Sequence, residues 1–213
     1  MIRLKVKICG LKEGPNIVEA AEAGADMLGF NFYSHSPRYV GASFQLPPGL
    51  PDVTERVGVF VNDDEGEIVH RCARYGIRTA QLHGDERAEL CSRLRDRGIK
   101  VIKALRVNRG SDWRATRAYE PAVDWFLFDS PGPSYGGTGK RFDWALLDGY
   151  RGSVPFLLAG GLSPVNVEEA LGIRHPCLGG LDFNSGVETT PGVKDIHSVR
   201  RIVELVAQYN RSL

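Results

Sequence analysis

A cysteine, an aspartate and two glycine-rich turns stand where they could move protons on a small anionic molecule. Cys9 ends an alternating apolar run, Ile2-Arg3-Leu4-Lys5-Val6-Lys7-Ile8, and Gly10 follows at once. Asp129 ends another apolar run, and Ala159-Gly160-Gly161 and Asn184-Ser185-Gly186 follow later ones. A thiol at a strand end faces a cavity, where its thiolate is a base, and a carboxylic acid can give a proton. Glycine turns let backbone N–H groups approach a phosphate, which makes Gly160, Gly161, Ser185 and Gly186 candidate phosphate contacts. One base, one acid and one cradle point to a proton-transfer isomerase.

The elements that must position these residues alternate in type. Runs rich in Val, Ile, Leu or Phe predict strands near 2–8, 26–32, 56–61, 78–82, 99–105, 124–129, 154–159 and 178–182. Helical spacing lies between them, as in Ile68-Val69-Cys72-Ala73 and Leu90-Leu94, and the last segment puts Ile196, Val199, Ile202, Val203 and Val206 on one face. Eight strand-helix units without a linker predict an α/β fold, a single (β/α)8 barrel domain over residues 1–213 with a parallel eight-stranded core. Such barrels usually run to about 250 residues, so short loops are expected here. The stretch Leu46-Pro47-Pro48-Gly49-Leu50-Pro51 predicts a short or distorted second helix. A doubly wound open sheet is the alternative, but Cys9-Gly10-Leu11-Lys12 stands where its dinucleotide fingerprint would be.

Composition narrows the function classes. Lys plus Arg total 27 against 26 acidic residues, a net charge of +1, so no nucleic-acid face and no polybasic membrane anchor is expected. No signal peptide and no run of membrane-spanning length is read, and a cytoplasmic location is expected. Cys9, Cys72, Cys91 and Cys177 lack CxxC spacing, which argues against disulfides and against a zinc site. Cys72, Cys91 and Cys177 read as inert packing thiols. The run Ser134-Tyr135-Gly136-Gly137-Thr138-Gly139-Lys140-Arg141 fails as a P-loop, which needs Gly at Ser134 and Ser or Thr at Arg141; its glycines read as a flap over the substrate.

In this fold the residues just past each strand form one rim. Read in order, Lys7-Ile8-Cys9-Gly10, Ser36-Pro37-Arg38-Tyr39-Val40, Val57-Gly58-Val59-Phe60, Gln81-Leu82-His83-Gly84, Gly136-Gly137-Thr138-Gly139, Ala159-Gly160-Gly161-Leu162 and Asn184-Ser185-Gly186-Val187-Glu188 resemble the phosphoribosylanthranilate isomerase family of tryptophan biosynthesis. The resemblance spans nearly the whole chain. It implies a cofactor-independent Amadori rearrangement of N-(5-phosphoribosyl)anthranilate to 1-(2-carboxyphenylamino)-1-deoxyribulose 5-phosphate, with Cys9 as general base and Asp129 as general acid. It gives Arg38, in an extended loop, the substrate's carboxylate, which a planar guanidinium matches in bidentate fashion. Asp182 and His83 join the implied substrate-binding set, although His83 also reads as a rim histidine bonded to neighbouring backbone.

The chemistry fits those residues: Asp129 must begin protonated and Cys9 at least partly ionised. A free thiol titrates near about 8.5, so positive charge from the substrate or from Lys7 is expected to help. No metal or organic cofactor is expected; the expected partner is a small phosphorylated molecule, and a homodimer is compatible with the reading. Asn184 stands where a serine-like residue is more usual, and Asn31, His35 and the prolines of 47–51 also depart from the family pattern. Two rivals are a histidine-pathway aminoaldose isomerase, expected to carry a carboxylate at Cys9, and a non-catalytic barrel that binds sugar phosphates.

Overall fold

A computed structural model describes residues 3–132 and 141–213. Eight parallel strands, β1 (Lys5–Ile8), β2 (Met27–Asn31), β3 (Glu55–Phe60), β4 (Thr79–Leu82), β5 (Lys100–Arg106), β6 (Trp125–Asp129), β7 (Phe156–Leu158) and β8 (Leu178–Phe183), form a closed barrel in sequence order. Closure comes from β8 pairing with β1, where Lys7 stands beside Asp182. The strands agree with the apolar runs to within about three residues, although Ile2 lies outside the described residues.

Side chains alternate across each strand, so each contributes to two cores. Val6 and Ile8 join the outer core under the helices; Met27, Val57, Ile102, Leu127 and Leu157 fill a separate cluster inside the barrel. Lys7 and Cys9 have the opposite parity to Val6 and Ile8 on β1. Helices α1 (Gly14–Glu22), α2 (Glu65–Tyr75), α3 (Ala88–Asp96), α4 (Val167–Leu171) and α5 (Ile196–Arg211) cover the outside. On α5 the buried residues are Val199, Ile202 and Val206, part of the predicted face, and Asp195 caps its start by accepting from the His197 amide at 3.1 Å.

The expected helix between β2 and β3 is absent. Residues 32–54 run as turns and coil, so the expectation of uniformly short loops is also corrected. Pro47, Pro48 and Pro51 remove three amide donors from any helix there. Phe44 does a helix's covering work instead, with its ring 5.4 Å from Phe30 and 5.3 Å from Tyr75. After β5 and β6 the connections hold 3-10 turns, over Trp113–Ala118, Glu120–Ala122 and Trp144–Gly149. A hairpin of β9 (Glu188–Thr190) and β10 (Val193–Lys194) sits between β8 and α5.

Cys72 and Cys91 are buried in α2 and α3, and burial pushes their thiols up to about 12 and about 11. Cys177 is half-buried just before β8. No helix among the described residues is long and apolar enough to cross a membrane. The glycine run of 134–140, and with it the flap reading, lies outside the described residues.

Candidate active site

One cleft opens at the C-terminal ends of the strands. Cys9, His83, Asp129, Gly160, Gly161, Asp182, Ser185 and Gly186 all line it, so eight of the nine residues singled out from the sequence converge.

Cys9 follows β1, and its amide donates to the Phe183 carbonyl at 2.8 Å, so the chain is still held by β8. Gly10 then turns at φ +77, and its amide donates to the Gly29 carbonyl at 2.9 Å. A side chain at Gly10 would be strained by that φ and would also sit 2.7 Å from both Arg38 Cδ and Asn184 Oδ1. Below, Gly29 leaves room for the sulfur, since a Cβ there would lie 2.8 Å from Cys9 Sγ.

Burial pushes the Cys9 thiol above its ordinary value; the Lys7 ammonium pulls it down, Asp182 adds to the rise, and Lys194 opposes it. Lys7 is fully buried and donates to Asp182 Oδ1 at 2.8 Å. Burial works against its charge, but Asp182 and Cys9 raise its pKa overall, so Lys7 stays a cation beside the sulfur.

Asp129 ends β6 and is 5% exposed. Its Oδ1 accepts from the Ser130 amide at 2.8 Å, and its Oδ2 lies 3.4 Å from His83 Nε2. Gln81 Nε2 lies 2.8 Å from His83 Nδ1. His83 thus meets side chains on both nitrogens, not the neighbouring backbone.

The two glycine turns pack directly on each other. Gly160 and Gly161 take φ +85 and +67, and a Cβ on Gly160 would lie 2.2 Å from Ser130 Oγ. A Cβ on Gly186, in the 3-10 turn Ser185–Val187, would lie 2.1 Å from the Leu162 carbonyl oxygen. Asn166 clasps the first turn, donating to the Gly161 carbonyl and accepting from the Ser163 amide, each at 2.9 Å.

Arg38 is the ninth residue and does not line the cleft wall. It sits in a turn, not an extended loop, and its side chain is 14% exposed. The guanidinium donates to Glu188 from Nε at 2.8 Å and from Nη2 at 2.6 Å. Glu188 also accepts from Lys194 Nζ at 2.7 Å. The sequence reading gave Glu188 and Lys194 no role. Their signal was the Pro191-Gly192 turn between two charged residues, which marks a hairpin.

Comparison with known proteins places this geometry. The family model described as N-(5'phosphoribosyl)anthranilate (PRA) isomerase matches residues 6–205. The N-(5'-phosphoribosyl)anthranilate isomerase of Parabacteroides distasonis is 41% identical over 210 residues, covering 94% of this chain and 92% of the relative. A crystal structure of phosphoribosyl anthranilate isomerase from Thermotoga maritima superposes with a TM-score of 0.81 at 35% identity, covering 96% of this chain and 99% of that one. A second, of phosphoribosyl anthranilate isomerase in complex with reduced 1-(o-carboxyphenylamino)-1-deoxyribulose 5-phosphate, gives 0.77 at 32% identity with the same coverage. Barrel, order of motifs and relatives agree, and the chain belongs to the N-(5'-phosphoribosyl)anthranilate isomerase family.

Proposed function

We propose that this chain converts N-(5-phosphoribosyl)anthranilate to 1-(2-carboxyphenylamino)-1-deoxyribulose 5-phosphate, the isomerisation its family contributes to tryptophan biosynthesis, with Cys9 as base and Asp129 as acid. The observation that carries this reading is the convergence of a thiol from β1 and a carboxyl from β6 on one cleft with the Gly160-Gly161 and Ser185-Gly186 turns. A phosphate seated on those turns fixes one end of the substrate, and the sugar then lies between sulfur and carboxyl.

In the first step the Asp129 carboxyl gives its proton to the ring oxygen as the C1–O bond breaks, leaving an open chain with an iminium at C1. That positive charge acidifies the C2 hydrogen, and the Cys9 thiolate removes it to form an enolamine. Return of the proton from sulfur to C1, with loss of the C2 hydroxyl proton to the Asp129 carboxylate, yields the ketone and resets both groups. The cycle is neutral in protons. Burial disfavours the Cys9 thiolate, while the Lys7 ammonium and the positive charge that the iminium brings favour it.

Arg38 takes the anthranilate carboxylate, His83 and Asp182 contact the sugar, and Gly160, Gly161, Ser185 and Gly186 hold the phosphate. The chain acts as one barrel domain in the cytoplasm. Incubating the purified protein with N-(5-phosphoribosyl)anthranilate and following product tests the reading. Product formation supports it; tight binding without turnover would instead support a sugar-phosphate sensor.

A further inference from the structure

The mouth of the cleft carries an ion network of Arg38, Glu188 and Lys194. Arg38 donates to Glu188 with Nε, to Oε1 at 2.8 Å and Oε2 at 3.1 Å, and with Nη2, to Oε2 at 2.6 Å. This occupies one side of a planar guanidinium. The end formed by Nη1 and the second proton of Nη2 makes no hydrogen bond among the described residues, and two parallel N–H groups there match a carboxylate.

Glu188 is held in turn. It accepts from the Gly192 amide at 3.0 Å and from Lys194 Nζ at 2.7 Å, across the register that pairs Glu188 with Lys194. The Lys194 side chain is wholly buried and also donates to Asn184 Oδ1 at 2.9 Å. Asn16 on α1 clamps the backbone of Lys194 from both sides, at 2.7 and 2.9 Å. In formal charges the network is two cations and one anion, a surplus of one that matches a ligand carboxylate, with burial pulling the Lys194 pKa down against the attraction of Glu188.

We infer that the β9–β10 hairpin is the carboxylate-selecting element of this site: Glu188 is a positioning residue that presents the unused end of the Arg38 guanidinium to the substrate carboxylate. Lys194 cancels the charge that Glu188 would otherwise set against that ligand. Lys194 also grips Asn184, the residue before the Ser185-Gly186 turn, so the two ends of the substrate are gauged by one rigid piece. The inference rests on the reading that Arg38 takes the carboxylate.

The sign of one substitution separates positioning from simple charge. Glu188→Gln removes a negative charge, so Coulomb's law alone predicts tighter binding of a carboxylate; positioning predicts weaker binding. The experiment compares calorimetric affinities for reduced 1-(o-carboxyphenylamino)-1-deoxyribulose 5-phosphate and for its phenylamino counterpart without the carboxyl group. Glu188→Gln should lower the preference for the carboxylate by about tenfold or more, the scale of a lost charge-assisted pair. Glu188→Asp keeps the charge one methylene further back and should lower it too. Binding of inorganic phosphate by both variants establishes that each is folded. An unchanged or increased preference in Glu188→Gln overturns the inference. If Arg38→Met abolishes the preference while both Glu188 variants retain it, the hairpin inference alone fails; if Arg38→Met also retains it, the underlying reading of Arg38 fails with it.

Discussion

The Cβ that Gly29 lacks would stand 2.8 Å from the sulfur of Cys9, so a neighbouring strand makes room for the proposed base by omission. The two residues come from β2 and from the end of β1. Gly29 has no positive φ, and the nearest atoms that an alanine Cβ would meet there all belong to Cys9, the sulfur at 2.8 Å and Cα at 3.0 Å.

Gly29→Ala should therefore displace the sulfur. A shift of about 1 Å in a reacting group can cost about a hundredfold in rate. The expected result is a kcat lowered by about that factor with phosphate affinity unchanged, measured by steady-state kinetics and calorimetry. A variant that melts near the parent temperature and turns over at the parent rate would show that the sulfur's position is not critical.

Lys7 gives a prediction about ionisation. Burial holds the Cys9 thiol up and Lys7 pulls it down, so Lys7→Met should move the pH midpoint of Cys9 alkylation by iodoacetamide upward and slow alkylation at pH 8. The substitution leaves Asp182 buried and unpaired, at a stability cost of about 3–5 kcal/mol. Lys7→Met combined with Asp182→Asn removes that orphan charge and should keep the slower alkylation, because the pull of Lys7 on the thiol exceeds the push of Asp182. An unchanged alkylation profile in both would remove Lys7 from the account.

Arg38→Met should chiefly raise KM, because a carboxylate held in both ground and transition states contributes binding but not rate. It also frees Glu188, which remains paired with Lys194. An unchanged KM would return Arg38 to a purely structural tie between the turn after β2 and the hairpin.

Much of this architecture was legible in the chain. All eight strands stood out because each is a short apolar run, and the rim followed from what comes after each run. The covering between β2 and β3 was not, since Phe44 packs by tertiary contact and no periodicity announces it. The prolines of 47–51 indicated a damaged helix and understated the outcome. Lys7 shares the parity of Cys9, two residues on, so its inward direction could be read; its partner Asp182, 175 residues away, could not. Arg38 and Glu188 are separated by 150 residues, and nothing local to either predicts a bidentate pair.

The acid separates from a turn-forming residue by one atom. Asp129 Oδ1 accepts the Ser130 amide at 2.8 Å, a bond that asparagine can keep, while its Oδ2 lies 3.4 Å from His83. Asn has no acidic proton to give. Asp129→Asn should therefore hold its melting temperature and its affinity for the reduced product analogue but lose about a hundredfold or more in kcat. Wild-type kcat in a folded Asp129→Asn protein would place the proton donor elsewhere.

The central claim is that the Cys9 sulfur removes the C2 proton, and kcat of Cys9→Ala with N-(5-phosphoribosyl)anthranilate tests it most directly. The account predicts a fall of at least about 10²–10⁴, the range for a lost general base, with affinity for the reduced product analogue nearly intact. Turnover by a folded Cys9→Ala protein at close to the parent rate would contradict it.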